Sequence, residues 1–305
     1  METVVVDAKT GRKCYLDVPS ALAPGEEVTF VLNLHGGGSA GHWQREYFPA
    51  CDYVDKYRLV VATPSAATKA PTRHWAADAD DEYLVGLVES IFDRLGRGRV
   101  RAFWLAGHSQ GGTTSQRLLA GLDYFADRVD GWLSLSGGRL GPAERAPGFG
   151  PPRTEQDRKA IEEAMARRGV FQRPPTPAAE FSFIFTTGQH EIASLPEASS
   201  WADRYGAGPR VRQADVVDDE PGKIHDARYD ANPTLSWGRK PAPGTAQVYV
   251  YPGGRDGRVI ADVVRLDKGH TEGLEPRVTE ELIKLMVSAP GGKVLALSSR
   301  SAQAG

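Results

Sequence analysis

The nine residues Trp104-Leu105-Ala106-Gly107-His108-Ser109-Gln110-Gly111-Gly112 constrain this chain more than any other stretch. They read as the end of a buried strand, a tight turn and the start of a helix. Val100 to Ala106 is apolar at most positions, and Thr113 to Leu122 can wind into a helix with Leu118, Leu119 and Leu122 on one face. Gly107-His108-Ser109-Gln110-Gly111 fits G-x-S-x-G, the pattern of a nucleophile elbow. Its glycines leave room where side chains would collide with the neighbouring strand and helix. Such a turn lifts the Ser109 hydroxyl above the sheet and aims the Gln110 N–H, at the helix N-terminus, toward developing negative charge. Three fixed positions in five also describe a plain glycine-rich turn with an idle serine, so the surrounding chain has to decide.

Upstream, Val28 to Leu34 reads as a buried strand that runs into His35-Gly36-Gly37-Gly38-Ser39-Ala40-Gly41. A phosphate-binding P-loop needs a Lys-Ser/Thr pair after its last glycine, and here His42-Trp43 follows. The dinucleotide fingerprint is met imperfectly as well. An oxyanion loop of the HGGG type fits better, with bare N–H groups facing a substrate oxygen and Gly37 supplying the donor that complements Gln110.

Further strands are expected at Leu59–Thr63, Gly131–Leu135, Phe181–Thr187, Gln247–Tyr251 and Val259–Leu266, after a hairpin of Val4–Val6 with Lys13–Val18. Helices are expected over Trp43–Tyr57, Asp78–Leu95, roughly Leu195–Tyr205, and Pro276–Val287, with a loose tail from Ala289. Strands alternating with helices give an α/β fold with a mostly parallel central sheet and helices on both faces. The 305 residues suit a single domain. Residues 139–180, rich in Pro and Gly at both ends around a charged helix at Thr154–Arg168, read as an inserted cap or lid, or as a plain surface excursion. Residues 211–246 read as an irregular loop section.

In parallel sheets, reactive groups gather beyond the carboxyl ends of the strands. Ser109, Glu191 and His270 each follow such an end, in the order Ser, acid, His. His270 would act as the base. His225 is its rival, but no strand delivers it. Glu191 stands four residues past its strand, with His190, Asp215, Asp218 and Asp219 as rivals for the acid. His35 and His108 read as structural neighbours whose backbone matters more than their imidazoles. Trp43, Trp75 and Trp237 lie in loops or at loop ends, where they would rim a cleft for an apolar or aromatic group or simply pack their loops.

Together, Leu34-His35-Gly36-Gly37-Gly38, Gly107-His108-Ser109-Gln110-Gly111-Gly112 and Gly269-His270 make the chain resemble an α/β-hydrolase. Within that fold it is similar to the polyhydroxybutyrate depolymerase and feruloyl-esterase-like carboxylesterases, over roughly residues 13 to 288. The resemblance implies ester hydrolysis through an acyl-enzyme, with Ser109 as nucleophile, His270 as base, Glu191 as its orienting acid, and Gly37 and Gln110 as oxyanion donors. The sequence departs from that group in three respects: no secretory signal is visible, the 139–180 insert is long, and the acid is Glu. An amidase or peptidase on the same triad, or a non-catalytic ligand-binding member of the fold, would carry the same motifs.

Other classes find little support. The 37 basic and 39 acidic residues are scattered, with a net charge of −2 and no basic stripe for nucleic acid. No apolar run approaches membrane-spanning length, and the N-terminus lacks a basic start with an apolar stretch, so a cytoplasmic location is expected. Cys14 and Cys51 are expected as free, buried thiols rather than a disulfide. No Cys/His spacing suggests a metal site. The expected partner is a small-molecule ester, with no cofactor.

Overall fold

A computed structural model describes residues 2–7, 9–67, 73–141, 143–151, 154, 155, 159 and 174–303. The charged helix expected at Thr154–Arg168 lies outside the described residues, apart from those three positions.

The apolar runs form one central sheet. Its strands in chain order are β1 (Glu2–Val6), β2 (Lys13–Asp17), β3 (Val28–Leu34), β4 (Leu59–Pro64), β5 (Val100–His108) and β6 (Gly131–Leu135). A short β7 (Glu144–Arg145) pairs outside the sheet with β9 (Ile192–Ser194). β8 (Ser182–Gly188), β10 (Val211–Arg212), β11 (Val216–Val217), β12 (Thr245–Val250) and β13 (Ile260–Arg265) complete the set. The spatial order is β1-β2-β4-β3-β5-β6-β8-β13-β12-β10, with β11 also on β12. From β4 to β13 every neighbouring pair is parallel, and antiparallel strands finish both edges. The carboxyl ends of β3, β5, β8 and β13 therefore open on one side.

Side chains along the central strands alternate between two cores, as the pleat requires. Phe30, Leu32, Phe103 and Leu105 face one core, with Leu84, Val88 and Phe92 from the helix Ala77–Leu95 and Leu118 from the helix Gln110–Gly121. Val31, Trp104, Ala106 and Ile184 face the other, against Val278, Leu282, Ile283 and Met286 of the helix Pro276–Ser288. Burial on both faces explains why these strands read as continuous apolar runs.

Several expectations need correcting. Trp43–Tyr57 is not one helix: helices span Gly41–Tyr47 and Val54–Tyr57, with a 3-10 turn at Ala50–Tyr53. Pro49 stands at the break, where its ring and missing N–H forbid a continuous ladder. The helix expected over Leu195–Tyr205 shrinks to Ser200–Arg204, with the Ser199 hydroxyl accepting from the Ala202 N–H as its cap. The irregular section contributes β10 and β11. The tail is not loose, because Lys293–Gln303 forms a helix beside β5 and Val294 is buried in the core. Cys14 and Cys51 are unpaired, Cys14 buried and Cys51 half-buried. No described helix is long and apolar enough to cross a membrane.

Candidate active site

Ser109 sits between β5 and the helix Gln110–Gly121 with φ 50° and ψ −115°, a strained conformation for a residue with a side chain. The flanking glycines allow it. A Cβ on Gly111 would run into the carbonyl oxygens of Leu34 and His35, and one on Gly107 into the backbone of Gly111 and Gly112. The Ser109 N–H donates to the Leu135 carbonyl (2.8 Å), which ties the turn to β6.

His270 lies on the loop after β13. The His270 N–H donates to Ser236 O (3.1 Å). The buried Arg265 guanidinium donates to the carbonyls of Glu272 (2.8 Å) and Gly273 (2.7 Å) and pairs with Glu275 (2.9 Å), clamping the following turn. The His270 carbonyl is held by two donors, His108 Nε2–H (2.8 Å) and the Tyr47 hydroxyl (3.3 Å). Because a carbonyl only accepts, His108 carries its proton on Nε2. Burial, then the neighbouring His270, holds the His108 imidazole well below the ordinary histidine range. The His108 side chain thus positions the loop, which a reading of its backbone alone missed. His35 stays structural: Nδ1–H donates to Gly36 O (2.7 Å), Nε2 accepts the Ala66 N–H (3.0 Å), and burial lowers its pKa to about 4.

Glu191 is fully buried and places Oε2 2.7 Å from His270 Nδ1. Its Oε1 accepts from the Ser136 hydroxyl and from the Gly188 N–H, both at 2.7 Å. Burial alone would raise its pKa. The facing His270 and these hydrogen bonds outweigh that and bring it down to about 2. The rivals are engaged elsewhere: His190 with Asp267, Asp215 with Arg212, Asp219 with Arg277, and Asp218 on the N–H groups of Arg277 and Val278. His225 pairs with Asp230. Ser136, with φ 56°, was not singled out from the sequence. The signal was available, since it directly follows β6, beside the β8 terminus that leads to Glu191.

Ser109, His270 and the loop Gly36–Ala40 line one cavity of about 710 Å³. Among the described residues no hydrogen bond joins Ser109 Oγ to His270 Nε2. Such bonds are often long without substrate and tighten when it binds. The loop is fixed by Gly38 N–H donating to Arg73 O (2.7 Å) and Ser39 N–H to Gly36 O (3.2 Å). Neither the Gly37 N–H nor the Gln110 N–H has a hydrogen-bond partner among the described residues.

Trp43 and Trp237 line the cavity, their rings 5.5 Å from His108 and 5.0 Å from His270. Trp75 does not. It is buried, its Nε1–H donates to His35 O (2.8 Å), and it packs on the His35 ring at 4.8 Å, bracing the glycine loop from behind. The described start of the insert also reaches the site. Phe149 sets its edge against His270 at 5.2 Å, and Arg145 donates to Glu191 Oε2 at 3.4 Å. No group of His, Cys, Asp or Glu among the described residues could hold a metal ion.

An acetyl xylan esterase from Aspergillus awamori superposes over 93% of this chain and 99% of its own, at 12% identity and a TM-score of 0.51. The chain has the α/β-hydrolase fold. A lipase/esterase from Lactobacillus plantarum aligns over 64% of this chain and 81% of its own, at 15% identity and a TM-score of 0.44. No family profile and no curated protein sequence matches it.

Proposed function

We propose that this chain is a serine hydrolase that cleaves carboxylic esters through an acyl-enzyme. The observation that carries the reading is the Glu191–His270 pair, buried and 2.7 Å apart, with His270 lining the same cavity as a strained Ser109. Glu191 holds the proton on His270 Nδ1 and leaves Nε2 as the base. His270 takes the Ser109 proton during attack and returns it to the leaving alcohol, and water then repeats the cycle on the acyl-enzyme. The N–H groups of Gly37 and Gln110 receive the oxyanion, where one donor is worth about 3–4 kcal/mol of barrier. Esters rather than amides are favoured by the fold's likeness to a protein named as an acetyl xylan esterase and by the esterase resemblance of the motifs. Trp43 and Trp237 flank the substrate as apolar walls. Residues 139–180 act as a cap, a reading supported by the contacts of Arg145 and Phe149 with the acid and the base. Turnover of short-chain 4-nitrophenyl esters by the wild-type protein and by Ser109→Ala tests the proposal, and equal rates would remove it.

A further inference from the structure

The cavity wall carries an asymmetric charge. Among the described residues, two arginines, Arg73 and Arg228, and one carboxylate, Asp226, line it. Asp226 is already satisfied. It accepts from Arg228 Nε and Nη2, both at 2.7 Å, and from Trp237 Nε1–H at 3.2 Å. Those bonds leave Arg228 Nη1 with no described partner, and it lies 3.9 Å from where a Cβ on Gly38 would sit. Arg73 meets the same glycine from another direction, since its carbonyl accepts the Gly38 N–H at 2.7 Å. The Arg73 side chain has no hydrogen bond, ion pair or ring contact among the described residues. A second acid nearby, Glu191, is buried and committed to His270. The Arg228 guanidinium and the Arg73 backbone thus meet at Gly38, both residues line the cavity, and among the described residues one of the two positive charges is uncompensated.

A solitary cation on a binding wall is costly to cover with an apolar substrate and favourable to cover with an anion. Guanidinium groups suit planar oxyanions through paired N–H donors. We infer that the substrate is an ester carrying a carboxylate on its acyl or alcohol part, with Arg73 as the residue that selects it and Arg228 as its neighbour. This rests on the esterase reading above. The carboxylate lies beside the glycine loop, away from Trp237 and His270, so it does not compete for the oxyanion donors.

Two matched pairs test it near neutral pH: 4-nitrophenyl hemisuccinate against 4-nitrophenyl butyrate for the acyl side, and 4-acetoxybenzoate against phenyl acetate for the alcohol side. The expected result is a kcat/KM ratio of about tenfold or more for the carboxylate member of at least one pair, the size of one charge-assisted hydrogen bond. The ratio falls with added salt, because the wall is solvent-accessible. Arg73→Gln brings the ratio toward one, and Arg73→Lys restores part of it. Neutral esters preferred in both pairs, with Ser109-dependent turnover, overturn this inference and leave the esterase reading standing. An absence of Ser109-dependent cleavage of all four overturns the esterase reading itself. Calorimetric binding of the hemisuccinate to Ser109→Ala, with and without Arg73→Gln, then decides the role of Arg73. Equal affinity in the two proteins overturns it.

Discussion

Replacing Glu191 by Gln isolates what the buried acid does. The two carboxylate oxygens have separate duties. Oε1 accepts from Ser136 and Gly188, and Oε2 faces His270 Nδ1 at 2.7 Å. A glutamine keeps the first two bonds only by placing its carbonyl oxygen at the Oε1 position. Its NH2 then points at Nδ1, and an NH2 donates. Nδ1 must become the acceptor, so the His270 proton moves to Nε2, the nitrogen that receives the Ser109 proton in the proposed mechanism. The shape of the core is unchanged, but the imidazole is held in the tautomer that cannot act as a base. In serine hydrolase triads the analogous change costs about 10⁴ in kcat, or ~5 kcal/mol of barrier. The assay is kcat on a 4-nitrophenyl ester, beside a circular-dichroism melt that checks folding. A folded Glu191→Gln protein within about tenfold of wild-type kcat, against the ~10⁴ expected, would refute the assignment of Glu191 and the tautomer argument together.

Three further outcomes are expected. The folded pKa of Glu191, about 2 against an ordinary 4.5, means that its ionised form adds stability above 4.5 that is lost as pH falls toward 2. Denaturant melts across that range should show wild type losing about 3 kcal/mol more than Glu191→Gln, and superimposable slopes would contradict this. Gly111→Ala pushes a Cβ into the Leu34 carbonyl and should lower stability by about 2 kcal/mol or more in a denaturant titration; an unchanged midpoint would count against the tight elbow. Arg265→Met leaves Glu275 buried without its closest cation and frees the carbonyls behind His270. Calorimetry should register a loss of about 3–5 kcal/mol, and a loss under 1 kcal/mol would show that the clamp is unimportant.

Much of this site was legible because the proposed chemistry demands local backbone patterns. The elbow needs glycines at 107 and 111 for steric reasons, and in the loop after β3 a Cβ on Gly36 would press on the His108 ring while Gly38 holds φ 75°. The parallel sheet brings Ser109, Glu191 and His270 to one edge although they are far apart in sequence. What stayed hidden depended on packing between distant segments. Trp75 looked like a cleft residue because it lies in a loop, yet its indole finds a partner in the His35 carbonyl. Ser136 and Tyr47 carry no motif, and their value comes from facing Glu191 and the His270 carbonyl across the sheet. The helix Lys293–Gln303 has only three strongly apolar residues, Val294, Leu295 and Leu297, among small polar ones, so its pattern is faint. It is held by docking, with Lys293 Nζ donating to Ala126 O (3.0 Å) and the Lys293 N–H to Asp130 (3.2 Å).

The central claim is that one hydroxyl, that of Ser109, is the nucleophile. The direct measurement is intact-mass analysis after treatment with a fluorophosphonate, followed by peptide mapping. The account predicts a single adduct on Ser109, abolished in Ser109→Ala and strongly slowed in Glu191→Gln. An adduct on another residue, or none in protein that still cleaves esters, would contradict it.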